Sequence, residues 1–334
     1  RQVADEGLKL DPNNADLHDL KSNACLFLSD FKCAVDELET VYSIDSTKAD
    51  TLFFSKISVA AQEGKDARRL VKWAQIGNRK YPNNPTLLRY LNTGYAMSGQ
   101  TDSMISVANR IIAKDTTETG VEAALAAAKA LILPPEPDTS RAQRPDSGAK
   151  ARPDTSAKGT RDSSVATRGS DSSSAVGTDS NGGFKPRPKE ALPFLQFVIQ
   201  HGDPDAKEKA AVLLYSGATP LLQQPQDLQG AEQLLRLAVQ TANPSGKVYP
   251  AANYLLGLAT LFQVPQIDPQ AEKQKSCDLA KQEQALLAAS DSALTAGRSV
   301  NPEAVDKNLG IITKYKPRIA SMLKAYCKGE KKKA

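Results

Sequence analysis

Four cysteines, at 25, 33, 277 and 327, and two histidines, at 18 and 201, are the side chains best placed to do chemistry in this 334-residue chain. Their spacing argues against most of it. A zinc site draws its cysteine and histidine ligands in close pairs, and neither C-x-x-C nor H-E-x-x-H occurs. No phosphate-cradling glycine loop and no G-x-S-x-G turn appears, and the acidic residues are scattered as on a solvated helical face. His18 and His201 lie far apart and read as surface or groove residues. These residues point away from an enzyme, a metal centre or a cofactor. The alternative is a docking or regulatory region of a larger enzyme, its catalytic domain upstream of Arg1.

Cross-linking is the chemistry left to the cysteines. Cys277 lies near the beginning of one long helical pattern and Cys327 ends the next, and antiparallel helices bring those ends together. Cys327 lies about six residues further from the turn near Ser299, an offset a kink at Pro317 could absorb. A Cys277–Cys327 staple therefore stands beside the alternative of two free, buried thiols. Cys25 and Cys33 straddle a turn and are expected to pack as small hydrophobes. Either bridge would imply an oxidising compartment.

The elements that position these residues read as helices. Apolar residues make up 40% and aromatics 5%, an alanine- and leucine-rich balance that favours closely packed helices over a β-sandwich. No apolar run is long enough to span a bilayer. The net charge of +5 comes largely from a lysine-rich tail, KAYCKGEKKKA at 324–334, too narrow for a nucleic-acid surface. The opening RQVADEGLKLDPNN has the pattern of the second half of a helical hairpin, so the expectation is that the natural chain begins earlier.

The triplet Pro-Asn-Asn occurs at 12–14 and again at 82–84. Proline cannot continue a helix, and the following asparagine can cap the next one. Between these marks the chain counts in hairpins: 15–48, 49–84 and 85–118, each a helical pattern, a break (Ser29-Asp30, Gly64, Gly99) and a second helical pattern. Small and apolar residues recur at matched places, Ser22, Cys25, Ala34, Leu38 and Val41 in the first unit and Leu91, Tyr95, Gly99, Ala108 and Ile111 in the third. This resembles the tetratricopeptide repeat (TPR), a 34-residue helix–turn–helix unit. His18 and Lys21 depart from it, standing where Leu or Trp is usual, and the second unit runs to 36 residues.

The resemblance implies an all-α superhelix in which each hairpin hides its apolar face only by stacking on the next. It also implies a groove lined by the first helix of each unit. Carried over by register, the lining is Asp16, Asp19, Asn23 and Phe27, then Asp50, Phe53, Ile57 and Ala61, then Thr86, Arg89, Thr93 and Met97. Asn23 fits the carboxylate clamp of chaperone-binding members, but Asp19 stands where the clamp needs lysine. An acidic, partly apolar groove of this kind would take a basic or amphipathic peptide.

The helix at 121–133 is expected to cover the end of the third unit, closing a first block at 1–133. Residues 134–190 hold a degenerate eight-residue repeat over 136–175 with almost no large apolar side chain. They are expected to be a disordered linker. A second TPR-like block at 191–334 follows, with helices expected at 190–201, 204–216, 227–242, 249–263, 269–296 and 302–326 and the basic tail behind them. Asp268-Pro269 and Asn301-Pro302 mark the two last starts. The functional expectation is a non-enzymatic scaffold for a protein or peptide partner, without cofactor or nucleic acid, with self-association of the array as a third reading. The family likeness and the staple point to a bacterial periplasm or other extracytoplasmic setting, the cytoplasm being the alternative.

Overall fold

The computed structural model describes residues 1–134, 184–223 and 226–327. All regular elements among them are helical. They are α1 (Gln2–Leu10), α2 (Ala15–Phe27), α3 (Phe31–Ile44), α4 (Thr51–Glu63), α5 (Ala67–Lys80), α6 (Pro85–Met97), α7 (Thr101–Ile112) and α8 (Glu118–Ile132). After the segment outside the described residues come α9 (Pro188–His201), α10 (Pro204–Ala218), α11 (Leu228–Thr241), α12 (Val248–Gln274), α13 (Cys277–Ala296) and α14 (Pro302–Tyr326). The expected linker repeat at 136–175 and the lysine-rich tail from 328 lie outside the described residues.

Short polar side chains start these helices. Asn14 accepts the amides of Asp16 and Leu17, and Asn84 accepts that of Leu87. Asp30, Asp50 and Asp66 cap α3, α4 and α5 in the same way, each relieving an amide hydrogen the helix cannot use. The turns within hairpins use left-handed residues. In the first it is Ser29, in the third Gly99 (φ 70°), where the lack of a Cβ removes the strain. In the second hairpin the left-handed residue is Lys65, while Gly64 stays right-handed. What Gly64 supplies is room: a Cβ there would lie 3.2 Å from the Cβ of Phe31.

Each helix packs on its neighbour in sequence, and α4, α6, α8, α10, α12 and α14 also touch the next of their own kind, forming one layer of first helices. α8 belongs to this layer. As expected it covers the end of the third unit, packing on α6 and α7, but it does not close a block. It also pairs with α9 as the first helix of a fourth hairpin, whose connection is the segment at 135–183. The two halves adjoin there: the Arg187 amide donates to the Leu131 carbonyl (2.7 Å), and the Arg187 guanidinium reaches Asp102 (2.8 Å). One buried apolar cluster runs from Ala15 to Ala293 across that junction. A single hairpin of this length is marginal, so this shared face is what makes the array stable.

α12 corrects a boundary. Pro269 was expected to begin a helix, yet α12 runs through both Pro265 and Pro269 and stops at left-handed Lys275. Each proline forfeits one backbone hydrogen bond, but Leu261 and Val264 are locked into a separate core with Leu286, Leu294, Val305 and Ile312 of α13 and α14, and that burial holds the helix together.

Candidate functional site

The first helices present one face along the stack. On α2 the exposed positions are Asp16, Leu20, Asn23 and Phe27, at spacings of four, three and four. On α4 the exposed Leu52 and Val59 flank half-buried Lys56, and on α6 the same face holds Arg89, Thr93 and Met97. Lys56 reaches across to Asp19 (2.6 Å), which ties the faces of α2 and α4 into one surface.

Several positions carried over from the repeat resemblance are not on it. Phe53 and Ile57 are core residues, and so is Ala61. Phe53 lies in an aromatic cluster with Tyr42, Phe54 and Trp73. The cause is the 36-residue second unit: its surplus is taken up before α4, around the 3-10 turn Ser46–Lys48, so Ala15 corresponds to Thr51. Asp16 therefore corresponds to Leu52 and Asn23 to Val59. The unit length was visible in the sequence; the place of the surplus was not.

The acidic character expected of this face is largely cancelled. Lys48 pairs with Asp16, Lys56 pairs with Asp19, and Asp50 spends its carboxylate on the Phe53 amide as the cap of α4. What stays open is apolar: Phe27 is 88% exposed, Leu52 65% and Leu20 50%. Arg89 stacks over Tyr90, 4.8 Å from the ring centre.

Beside this face, His18 and Lys21, the two departures from the repeat pattern, join a polar cluster. His18 Nδ1 lies 2.6 Å from Glu37, and the Lys21 ammonium bridges Glu37 (2.8 Å) and Asp5 (3.0 Å). Hydrogen bonds to Glu37, then to Asp5, hold the Lys21 pKa above its ordinary value. An ionic joint thus replaces the usual apolar contact between α1, α2 and α3. His201 stacks on Phe197, and no arrangement of nucleophile and base surrounds either histidine among the described residues.

Two disulfides brace the array. Cys277 and Cys327 are bonded with Cα atoms 5.0 Å apart, joining the start of α13 to the end of α14. Cys25 and Cys33, expected to pack as free hydrophobes, are bonded as well, because the short α2–α3 turn sets their Cα atoms 5.8 Å apart. The one group of three metal-ligating residue types among the described residues, Cys25, Asp30 and Cys33, thereby has both sulfurs tied up, and Asp30 caps α3.

Successive antiparallel hairpins of TPR length, with their first helices aligned in one layer, decide the architecture. The chain is a TPR-like helical solenoid. No protein-family model and no curated protein matches its sequence. Among solved structures, a TPR repeats protein from Bacteroides fragilis is 10% identical, with 91% of this chain and 99% of that chain covered at a TM-score of 0.39. A tetratricopeptide repeat protein from Parabacteroides merdae is 10% identical, with 90% and 98% covered at 0.41. With TM-scores this low neither likeness bears on the solenoid, which rests on its own hairpins. No described helix is long and apolar enough to cross a membrane.

Proposed function

We propose that the solenoid is a non-catalytic interaction scaffold, holding an amphipathic segment of a protein partner along the face of α2, α4 and α6. The observation that carries this reading is the row of open apolar side chains, Leu20, Phe27, Leu52, Val59 and Met97, on a face where Asp16, Asp19 and Asp50 are already paired or capping. A folded chain gains by burying such side chains, and they stand at the helix spacing along which a bound segment makes contact. Two disulfides support placing the scaffold in an oxidising, extracytoplasmic compartment.

The test is photo-crosslinking in cells that make the protein natively. A photoreactive phenylalanine analogue is placed at Leu20 or at Leu52, with exposed Lys32 of α3 as the control. Leu20 and Leu52 are expected to yield the same partner adduct and Lys32 none. Adducts from all three sites alike, or from none, overturn the scaffold face. Thiol blocking before lysis in the same cells is expected to leave all four cysteines unlabelled; labelling of all four overturns the compartment.

A further inference from the structure

The second helices form the other layer, and two of its grooves differ in a way that the repeat makes measurable. Between α3 and α5 charge bridges the groove, and the cleft left beside Phe31, Val35 and Arg69 is about 280 Å³. Arg69 reaches Asp36 (2.7 Å), Lys72 reaches Glu39 (2.8 Å), and the Trp73 indole donates to the same Glu39 (2.9 Å). Burial pushes the Glu39 pKa up, but the hydrogen bonds from Lys72 and Trp73 outweigh it and hold the carboxyl below its ordinary value.

The next groove, between α5 and α7, has the same register and none of these bridges. Counted from the first residue of each helix, Gln75 of α5 stands where Glu39 stands in α3, and Ser103 and Ser106 of α7 stand where Arg69 and Lys72 stand in α5. Lys72 stands where Asp36 stands in α3, so the charges that would bridge it are missing or reversed at four places. The result is a cleft of about 570 Å³ floored by Leu91, Tyr95 and Val107. Arg79 and Arg110 both line it. Among the described residues neither has a carboxylate partner, and Arg110 makes only a long contact with Asn78 (3.5 Å). The one carboxylate in the lining, Asp102, is already held by Arg187.

We propose that this cleft is a second docking site, on the side of the solenoid opposite the first-helix face, and that its occupant is an acidic peptide segment of a protein partner. Carboxylates of the segment meet Arg79 and Arg110, whose planar, permanently charged guanidinium groups suit paired recognition of carboxylate. Its apolar side chains cover Leu91, Tyr95 and Val107, and its polar edges meet Gln75, Ser103 and Ser106. Complementary charge selects this occupant, since a basic segment would meet two unpaired arginines.

The site and its test are independent of the first-helix face, so either can fail alone. The full chain is titrated by calorimetry with two blocked six-residue peptides, one alternating Glu and Leu, the other Lys and Leu. Two variants accompany it. Arg79→Gln with Arg110→Gln removes the charge. Gln75→Glu with Ser106→Lys keeps both arginines but rebuilds the Glu39–Lys72 bridge across the cleft, so its folding is supported by a pair the neighbouring groove already uses. The expected result is binding of the Glu peptide alone, weakened at least tenfold by each double variant, with 10 mM inorganic phosphate (about a ten-thousandfold excess over a micromolar peptide site) failing to displace it. Equal binding of both peptides, insensitivity to both variants, or displacement by phosphate overturns the proposal; the last would mark a point-charge anion site without peptide recognition.

Discussion

Glu283 is the residue at which this structure holds an ionisable group under strain. It is 0% exposed on α13, and neither carboxyl oxygen has a hydrogen-bond partner. Across from it on α12 lie Asp268, itself buried, and Glu272; Arg318 of α14 bonds both of these (2.9 and 2.7 Å). Burial first, then the negative charge of Asp268, push the Glu283 carboxyl up to about 7 against the pull of Arg318. The unfolded chain releases this proton near the ordinary value of 4.5, the folded chain only near 7. Stability from this group is therefore complete below pH 4.5 and lost as pH rises through 7, by about 3 kcal/mol in all. Glu283→Gln is expected to leave stability at pH 4.5 nearly unchanged and to raise it at pH 8, flattening the profile in urea melts. A wild-type profile already flat between pH 5 and 8 would contradict this. No sequence pattern marks Glu283, because its neighbours come from two other helices, α12 and α14.

At the scale of the element, the small residues of the repeat set how closely helices approach. Gly257 of α12 faces α13 so tightly that a Cβ would lie 2.5 Å from Leu294 Cγ and 3.0 Å from the Leu294 backbone nitrogen. Its carbonyl also accepts the Ser290 hydroxyl (2.7 Å). Gly257→Ala gains helix propensity but must part α12 from α13, and overpacking of this kind costs about 1–3 kcal/mol. A lowered melting temperature with unchanged far-ultraviolet circular dichroism is expected. A variant as stable as the parent would show that the two helices have slack. The same packing explains why α12 continues through Pro265 and Pro269: the sequence advertises a stop, and the core formed with α13 and α14 overrides it.

At the scale of the molecule, the hairpin of α8 and α9 is where the two helical stretches meet. Leu131 and Arg187 are hydrogen-bonded to each other, so the ends of the segment at 135–183 emerge side by side. Replacing that segment with an eight-residue Gly/Ser connection is expected to leave one cooperative unfolding transition. Stability should rise by about 1–2 kcal/mol, because a shorter loop closes at less entropic cost. Two separate transitions, or loss of helix after α8, would mean that the stretches are independent blocks. The shared cluster from Ala15 to Ala293 is the reason to expect one.

By itself, the sequence determined the helices, their caps and the hairpin period, since these depend on contacts a few residues apart: Asn14 with Asp16 and Leu17, Asn84 with Leu87, a small residue wherever helices must touch. It also marked Asp16, Asn23 and Phe27 as members of one face, which a fixed helical repeat settles locally. Only the tertiary structure decided that Phe53 and Ile57 turn inward while Leu52 and Val59 stay open, because two surplus residues before α4 rotate every position of that helix about its axis. Only it decided that Lys48 and Lys56 neutralise the acidic face, that Cys25 meets Cys33, and that α8 pairs across a long intervening segment with α9. Pairings of that kind depend on where distant backbone is carried by packing, and residue order alone does not encode that distance.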